Sequence, residues 1–127
     1  MSVYTVYLLE LQNRGFHSDP AQLRAIEALE RCADEWSDYK HRRSNAIKKF
    51  LIHPPIPRGV YLYGGVGRGK SFLMDCFFDA VPLVRKTRLH FHEFMREVHR
   101  ELRELQGTVN PLDVLGKQMS KRYKLIC

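Results

Sequence analysis

No apolar run in this sequence of 127 residues approaches the roughly 20 residues needed to span a bilayer. The N-terminal stretch MSVYTVYLLELQNRG has neither a basic n-region nor an Ala-x-Ala site, so it does not read as a secretory signal. Cysteine is scarce. Cys32, Cys76 and Cys127 are odd in number and far apart, which argues against a disulfide framework or a zinc knuckle and for a reducing, cytoplasmic setting. Acid is missing altogether between Asp38 and Asp75, whereas Lys40, Arg42, Arg43, Lys48, Lys49, Arg58, Arg68 and Lys70 all fall inside that gap. Part of this charge belongs to a glycine loop. The rest suits an anionic lipid surface, and hence peripheral membrane association, a nucleic acid, an acidic partner, or no partner at all in a solvated connector. Charge by itself does not choose among these, and no nucleic acid is predicted. The hydrophobic content of 44% excludes wholesale disorder, and the length suits one domain or part of a larger one.

What the sequence does hold is VYLYGGVGRGKSFLMDCFFDAV at residues 60–81. Val60, Tyr61, Leu62 and Tyr63 are β-branched, aromatic or aliphatic and lie between glycines, the pattern of a buried strand. Gly64-x-x-x-x-Gly69-Lys70-Ser71 follows, and then helix-compatible apolar residues up to Pro82. Strand, glycine loop and helix N-terminus in that order make a phosphate site. Gly64, Gly65, Gly67 and Gly69, with Val66 and Arg68 between them, allow backbone amides to turn inward around an anion. The helix adds its first N–H groups and the positive end of its dipole. Lys70 has the reach to meet β- and γ-phosphates, and the Ser71 hydroxyl suits the shell of a Mg²⁺ ion. A nucleoside triphosphate such as ATP is the expected ligand.

Along the rest of the chain, residues 3–12 mix strand-like composition with helical spacing of Tyr4, Tyr7, Leu8 and Leu11, and a short helix is the preferred reading. Asp19 as N-cap and Pro20 at N1 start a helix through about Lys40, with Leu23, Ile26, Leu29, Ala33 and Trp36 on one apolar face. Three prolines in residues 54–57 then impose an extended lead-in. We place a helical and basic extension at 1–58 and the nucleotide core at 59–127. The apolar helix after the loop, with Phe72, Leu73, Met74, Cys76, Phe77 and Phe78, requires burial on several sides, as in a doubly wound α/β fold.

Arg88-Leu89-His90-Phe91-His92 alternates like a second strand, and a helix is expected over 93–106 with Phe94, Val98, Leu102 and Leu105 buried and Gly107 as C-cap. Asn110-Pro111 begins another helix with Leu112, Leu115 and Met119 inward, and 123–127 looks like a further strand. His90 and His92 would share one strand face, but no third ligand stands at a convincing spacing for a metal. The preferred role for both is hydrogen bonding near the nucleotide or across a subunit contact.

Residues 57–71, followed by Leu73-Met74-Asp75 and Phe77-Phe78, resemble the ZapE cell-division ATPases and their mitochondrial relatives, the AFG/lactation-elevated ATPase family. The run from Arg88 to Met95 with Val98-His99, and Leu105-Gln106-Gly107 with Asn110-Pro111-Leu112, are similar to the same family. The resemblance implies an AAA-like P-loop NTPase core of α/β class that hydrolyses ATP with Mg²⁺ and works as a homo-oligomer on a protein substrate. In the bacterial members that substrate is the division protein FtsZ. In the family the strand at Leu-Ile-Cys continues into Phe-Asp-Glu, whose carboxylates hold Mg²⁺ and activate water, whereas Cys127 is the last residue here. The expectation is therefore a truncated core with Lys70 as its catalytic cation. The alternative is an inactive piece that binds nucleotide or anions weakly and acts as an interaction module. A small-molecule phosphotransferase would share the loop but needs an acceptor site that the sequence does not offer.

Overall fold

Asp19 is extended, and its Oδ1 accepts the Ala21 N–H at 2.7 Å, so the helix that follows starts on a side-chain cap with Pro20 at its first position. This helix, α2, runs Pro20–Arg42 in a computed structural model that describes residues 2–51, 53–64 and 69–127. Before it stands α1, Val3–Arg14, capped by Ser2 and closed by a left-handed Gly15. After it come α3, Ala46–Leu51, and α4, Lys70–Ala80. Then follow β1 at Lys86–Thr87, α5 at Phe91–Glu104, α6 at Pro111–Arg122 and β2 at Leu125–Ile126. The chain divides into two compact units, Met1–Pro82 and Leu83–Cys127.

In the first unit α1, α2 and α4 all pack against one another. The buried face of α1 is Val3, Tyr7 and Leu11, one residue per turn, while Tyr4 and Leu8 are left largely exposed. Helix α2 buries Ile26, Leu29, Ala33 and Trp36 of the expected face, with Cys32 added and Leu23 half-buried, and α4 buries Phe72, Leu73, Cys76 and Phe77. The Phe72 ring lies 5.9 Å from that of Tyr7 and meets Phe16 edge-on at 6.0 Å, with the Arg14 guanidinium 5.0 Å from its centroid. The Glu30 carboxylate accepts the Val3 N–H at 2.7 Å and fixes the start of α1 on α2.

Residues 60–63 do not form the expected strand. Tyr61 and Tyr63 are 86% and 85% exposed and stack on each other, ring centroids 6.3 Å apart. A strand exists only through its ladder, and the strands described in this chain, β1 and β2, pair with each other in the other unit. The proline-rich lead-in is instead tied to α2. Arg31 donates to the Gly59 carbonyl at 3.4 Å, and the Glu35 carboxylate accepts the Arg58 N–H at 3.3 Å. Inside the acid-free stretch, α3 is a short helix that ends before the prolines.

In the second unit β1 and β2 pair in parallel, Lys86 opposite Leu125 and Thr87 opposite Ile126. Such a pair needs a crossover, and α5 and α6 supply it. Bonds from Lys124 N–H to the Arg85 carbonyl, from Cys127 N–H to Thr87 and from Leu89 N–H to Cys127 extend the ladder. The expected strand at 88–92 is thus displaced: pairing ends at Leu89, His90 becomes an N-cap, and Phe91 and His92 join α5. Five alternating residues do not separate a strand from a strand end followed by a helix. Helix α5 also stops earlier than expected, at Glu104 with Leu105 as its cap, and Gly107 makes its left-handed turn beyond the helix. Leu115 is buried, Met119 is half-buried and Leu112 is exposed, so the inward stripe of α6 is shorter than its spacing suggests.

Candidate functional site

Helix α4 starts without a side-chain cap because its N-cap is Gly69, in the left-handed region at φ 79°. The first-turn amides of an α-helix lack partners within the helix, and a glycine cannot supply one from a side chain. Gly64 has φ 153°, also a value that favours glycine. Lys70, the first residue of α4, reaches back across the loop, and its Nζ donates to the Gly64 carbonyl at 2.9 Å. The two ends of the glycine stretch are therefore joined by the lysine that sequence spacing places there. Ser71 is exposed on the first turn. Of the expected phosphate-loop residues, Lys70 is thus brought onto Gly64, with Gly69 and Ser71 beside it in the chain; Gly65, Val66, Gly67 and Arg68 lie outside the described residues.

A cleft of about 180 Å³ opens beside this end of the loop. One wall is Leu62, Tyr63, Gly64, Lys70 and Leu73, and the other is the first turn of α2, where Asp19, Ala21, Gln22 and Ala25 stand. The volume is below the range of drug-sized ligand sites. Asp19 and Gln22 are absent from any sequence-based list of site residues. Asp19-Pro20 reads locally as a helix start, and nothing in periodicity links residue 22 to a glycine 47 positions later.

The other chemistry-bearing residues do not converge on the loop. His90 and His92 sit at the start of α5 and stack, rings 5.6 Å apart and 10° from parallel, so they do not share a strand face. Among the described residues no three His, Cys, Asp or Glu side chains gather as metal ligands. Burial pushes the Cys76 thiol up to about 11, with the nearby Glu10 carboxylate adding to it, and burial likewise raises Cys32. Thiols held protonated in this way are poor nucleophiles. No helix among the described residues is long and apolar enough to cross a membrane.

Comparison with known proteins adds to this geometry. The family model described as AFG1-like ATPase matches residues 1–127. The cell division protein ZapE of Escherichia coli K12 is 48% identical over 75 residues, covering 59% of this chain and 20% of that protein. Lactation elevated protein 1 homolog B of Danio rerio is 46% identical over 107 residues, 84% of this chain and 21% of the relative. An uncharacterized protein of Schizosaccharomyces pombe is 35% identical over 95 residues, 70% of this chain and 21% of its own length. The chain spans about a fifth of the length of these curated relatives. No solved structure matches it.

Proposed function

The chain belongs to the AFG1-like ATPase family, and from that premise we propose that it binds ATP through residues 64–71 as the phosphate-binding part of a P-loop ATPase. The observation that supports this most directly is the Lys70 contact on the Gly64 carbonyl at the uncapped start of α4. An ammonium group held at the Gly64 carbonyl, beside a helix N-terminus without a side-chain cap, suits an anion receptor. In this reading a triphosphate enters the cleft beside Gly64, exchanges for the carbonyl contact of Lys70, and meets the first-turn amides of α4. Lys70 then stabilises the charge that develops on the β- and γ-phosphates during transfer.

Ser71, exposed on that first turn, fits as a Mg²⁺ ligand through its hydroxyl. The ion would supply charge neutralisation at the phosphates. The reading extends to the longer protein as cytoplasmic ATP hydrolysis of the ZapE type, by a homo-oligomer acting on a protein substrate such as an FtsZ-like division component. It assigns 59–127 to the nucleotide core and 1–58 to an extension.

Calorimetric titration of the chain with ATP and Mg²⁺ tests the site. Wild type should bind, and Lys70→Ala should weaken binding by about 100-fold or more through loss of a charge-assisted contact to phosphate. Equal affinity in the two proteins would remove Lys70 from the site. Absence of binding by wild type would favour the alternative role of the chain as an interaction module.

A further inference from the structure

Tyr7 is fully buried where α1 meets the first turn of α2, and its hydroxyl has a partner there. It donates to Gln22 Oε1 at 2.9 Å. A tyrosine hydroxyl has one proton to give, so the oxygen end of the Gln22 amide must face Tyr7 and its NH₂ end must face away. Away means toward Gly69: a Cβ placed on Gly69 would stand 2.7 Å from Gln22 Nε2. The amide therefore rests against the Cα of the residue that opens α4, in a gap that only a glycine leaves. Gln22 also lines the cleft with Gly64 and Lys70.

The helix start itself makes this placement informative. Asp19 and Gln22 stand at N-cap and N3, the spacing of a capping box, in which the glutamine reaches back to the N-cap N–H. Here the amide oxygen of the glutamine meets Tyr7 and its nitrogen is turned to Gly69 instead. A side chain serving α2 alone would make the local bond.

We propose that Gln22 is a positioning residue of the phosphate site: oriented by Tyr7, its amide holds Gly69 in the left-handed turn from which α4 and Lys70 start. The consequence for nucleotide rests on the reading of 64–71 as an ATP site; the effect on the loop does not. Two measurements on the full chain separate them, amide hydrogen exchange over residues 69–73 without nucleotide and calorimetric titration with ATP and Mg²⁺. Gln22→Ala should speed exchange about 5-fold and raise the ATP Kd about 10-fold. Arg24→Ala, an exposed change on the same helix, should leave both within about 2-fold. Gln22→Glu keeps the shape but sets a carboxylate against the loop, and should raise Kd more than Gln22→Ala does, by about 100-fold. Tyr7→Phe removes only the orienting hydroxyl and should give a smaller rise, about 3-fold. Trp36 fluorescence checks that each variant is folded, and if Gln22→Ala is not, the glutamate and phenylalanine variants decide. Wild-type exchange and wild-type Kd in the folded variants would overturn the proposal. Faster exchange in Gln22→Ala with no ATP binding by any protein, wild type included, would uphold the loop contact and fell the ATP reading instead.

Discussion

From Val3 to Val81 the side chains withdrawn from water are apolar, and they form one continuous interface among α1, α2 and α4. From Leu83 to Cys127 the buried residues among those described are one apolar side chain, Leu115, and one carboxylate, Glu101. Glu101 Oε1 meets Arg122 at 2.6 Å, Arg122 also approaches Glu97 at 3.5 Å, and Glu101 Oε2 is left without a hydrogen bond. Arg85 donates to the Lys121 carbonyl at 2.7 Å near the end of α6. The first unit is thus stabilised by area removed from water, the second by a short ladder and charged contacts. The difference bears on the proposed function because Lys70 opens a helix whose far side packs into the apolar core of the first unit. Under the proposed reading, a loop that exchanges partners for a phosphate is best placed on a well-packed base.

The strongest way to break the comparison is to cut into the apolar interface. Phe77 is 4% exposed on α4, and Phe77→Ala should cost about 3 to 5 kcal/mol, read from denaturant unfolding followed by Trp36 fluorescence. Amide exchange in 111–122, which reports the other unit, should change little. Next in size is a pH effect confined to the first unit. The Cys76 thiol is held protonated, to about 11, so the folded state keeps a proton that the unfolded chain releases earlier. Its contribution is complete below roughly pH 8.5, where an unfolded thiol is neutral. It is lost as pH rises through about 11, by an amount on the order of 2 to 3 kcal/mol. Cys76→Val should flatten that part of the stability profile; an unchanged slope would mean that the thiol reaches water more readily than its burial implies. In the second unit Arg122→Ala strands Glu101, whose side chain is 11% exposed. With Arg122 itself partly exposed, a loss of about 2 kcal/mol is expected, measured by exchange in 91–104. Adding Glu101→Leu should restore most of it, because the unpaired carboxylate is then gone.

Much of the first unit was legible because its signals are local. A capping aspartate, a proline at N1 and an apolar residue every three or four positions specify α2 without reference to anything distant. The glycines at 64 and 69 and a lysine at 70 belong to the same category, since backbone geometry and reach are properties of neighbours. Residues 60–63 show the opposite case. Their β propensity states only that the segment fits a pleated, covered surface, and a ladder partner must come from elsewhere. The displaced boundary at His90 has the same origin, because the bond from Leu89 to Cys127 determines where the ladder ends. Gln22 was illegible for a third reason: its orientation depends on a tyrosine from another helix, and only packing brings Tyr7, Gln22 and Gly69 together.

The smallest expected effect sharpens the comparison most. Leu112, Leu115 and Met119 have the spacing of one apolar stripe, yet Leu112 is 68% exposed and Leu115 is 4% exposed. Leu112 stands next to Pro111 in the first turn of α6, one turn before Leu115. If the second unit were stabilised as the first is, every residue of such a stripe would carry area-proportional weight, and Leu112→Ser would cost about 2 kcal/mol or more. With a short ladder and an ion pair carrying the load instead, the same change should cost less than about 0.5 kcal/mol. Exchange in 111–122, compared between wild type and Leu112→Ser, distinguishes the two. A large loss would mean that α6 packs along its whole length in solution and that the two units differ in size of core, not in kind.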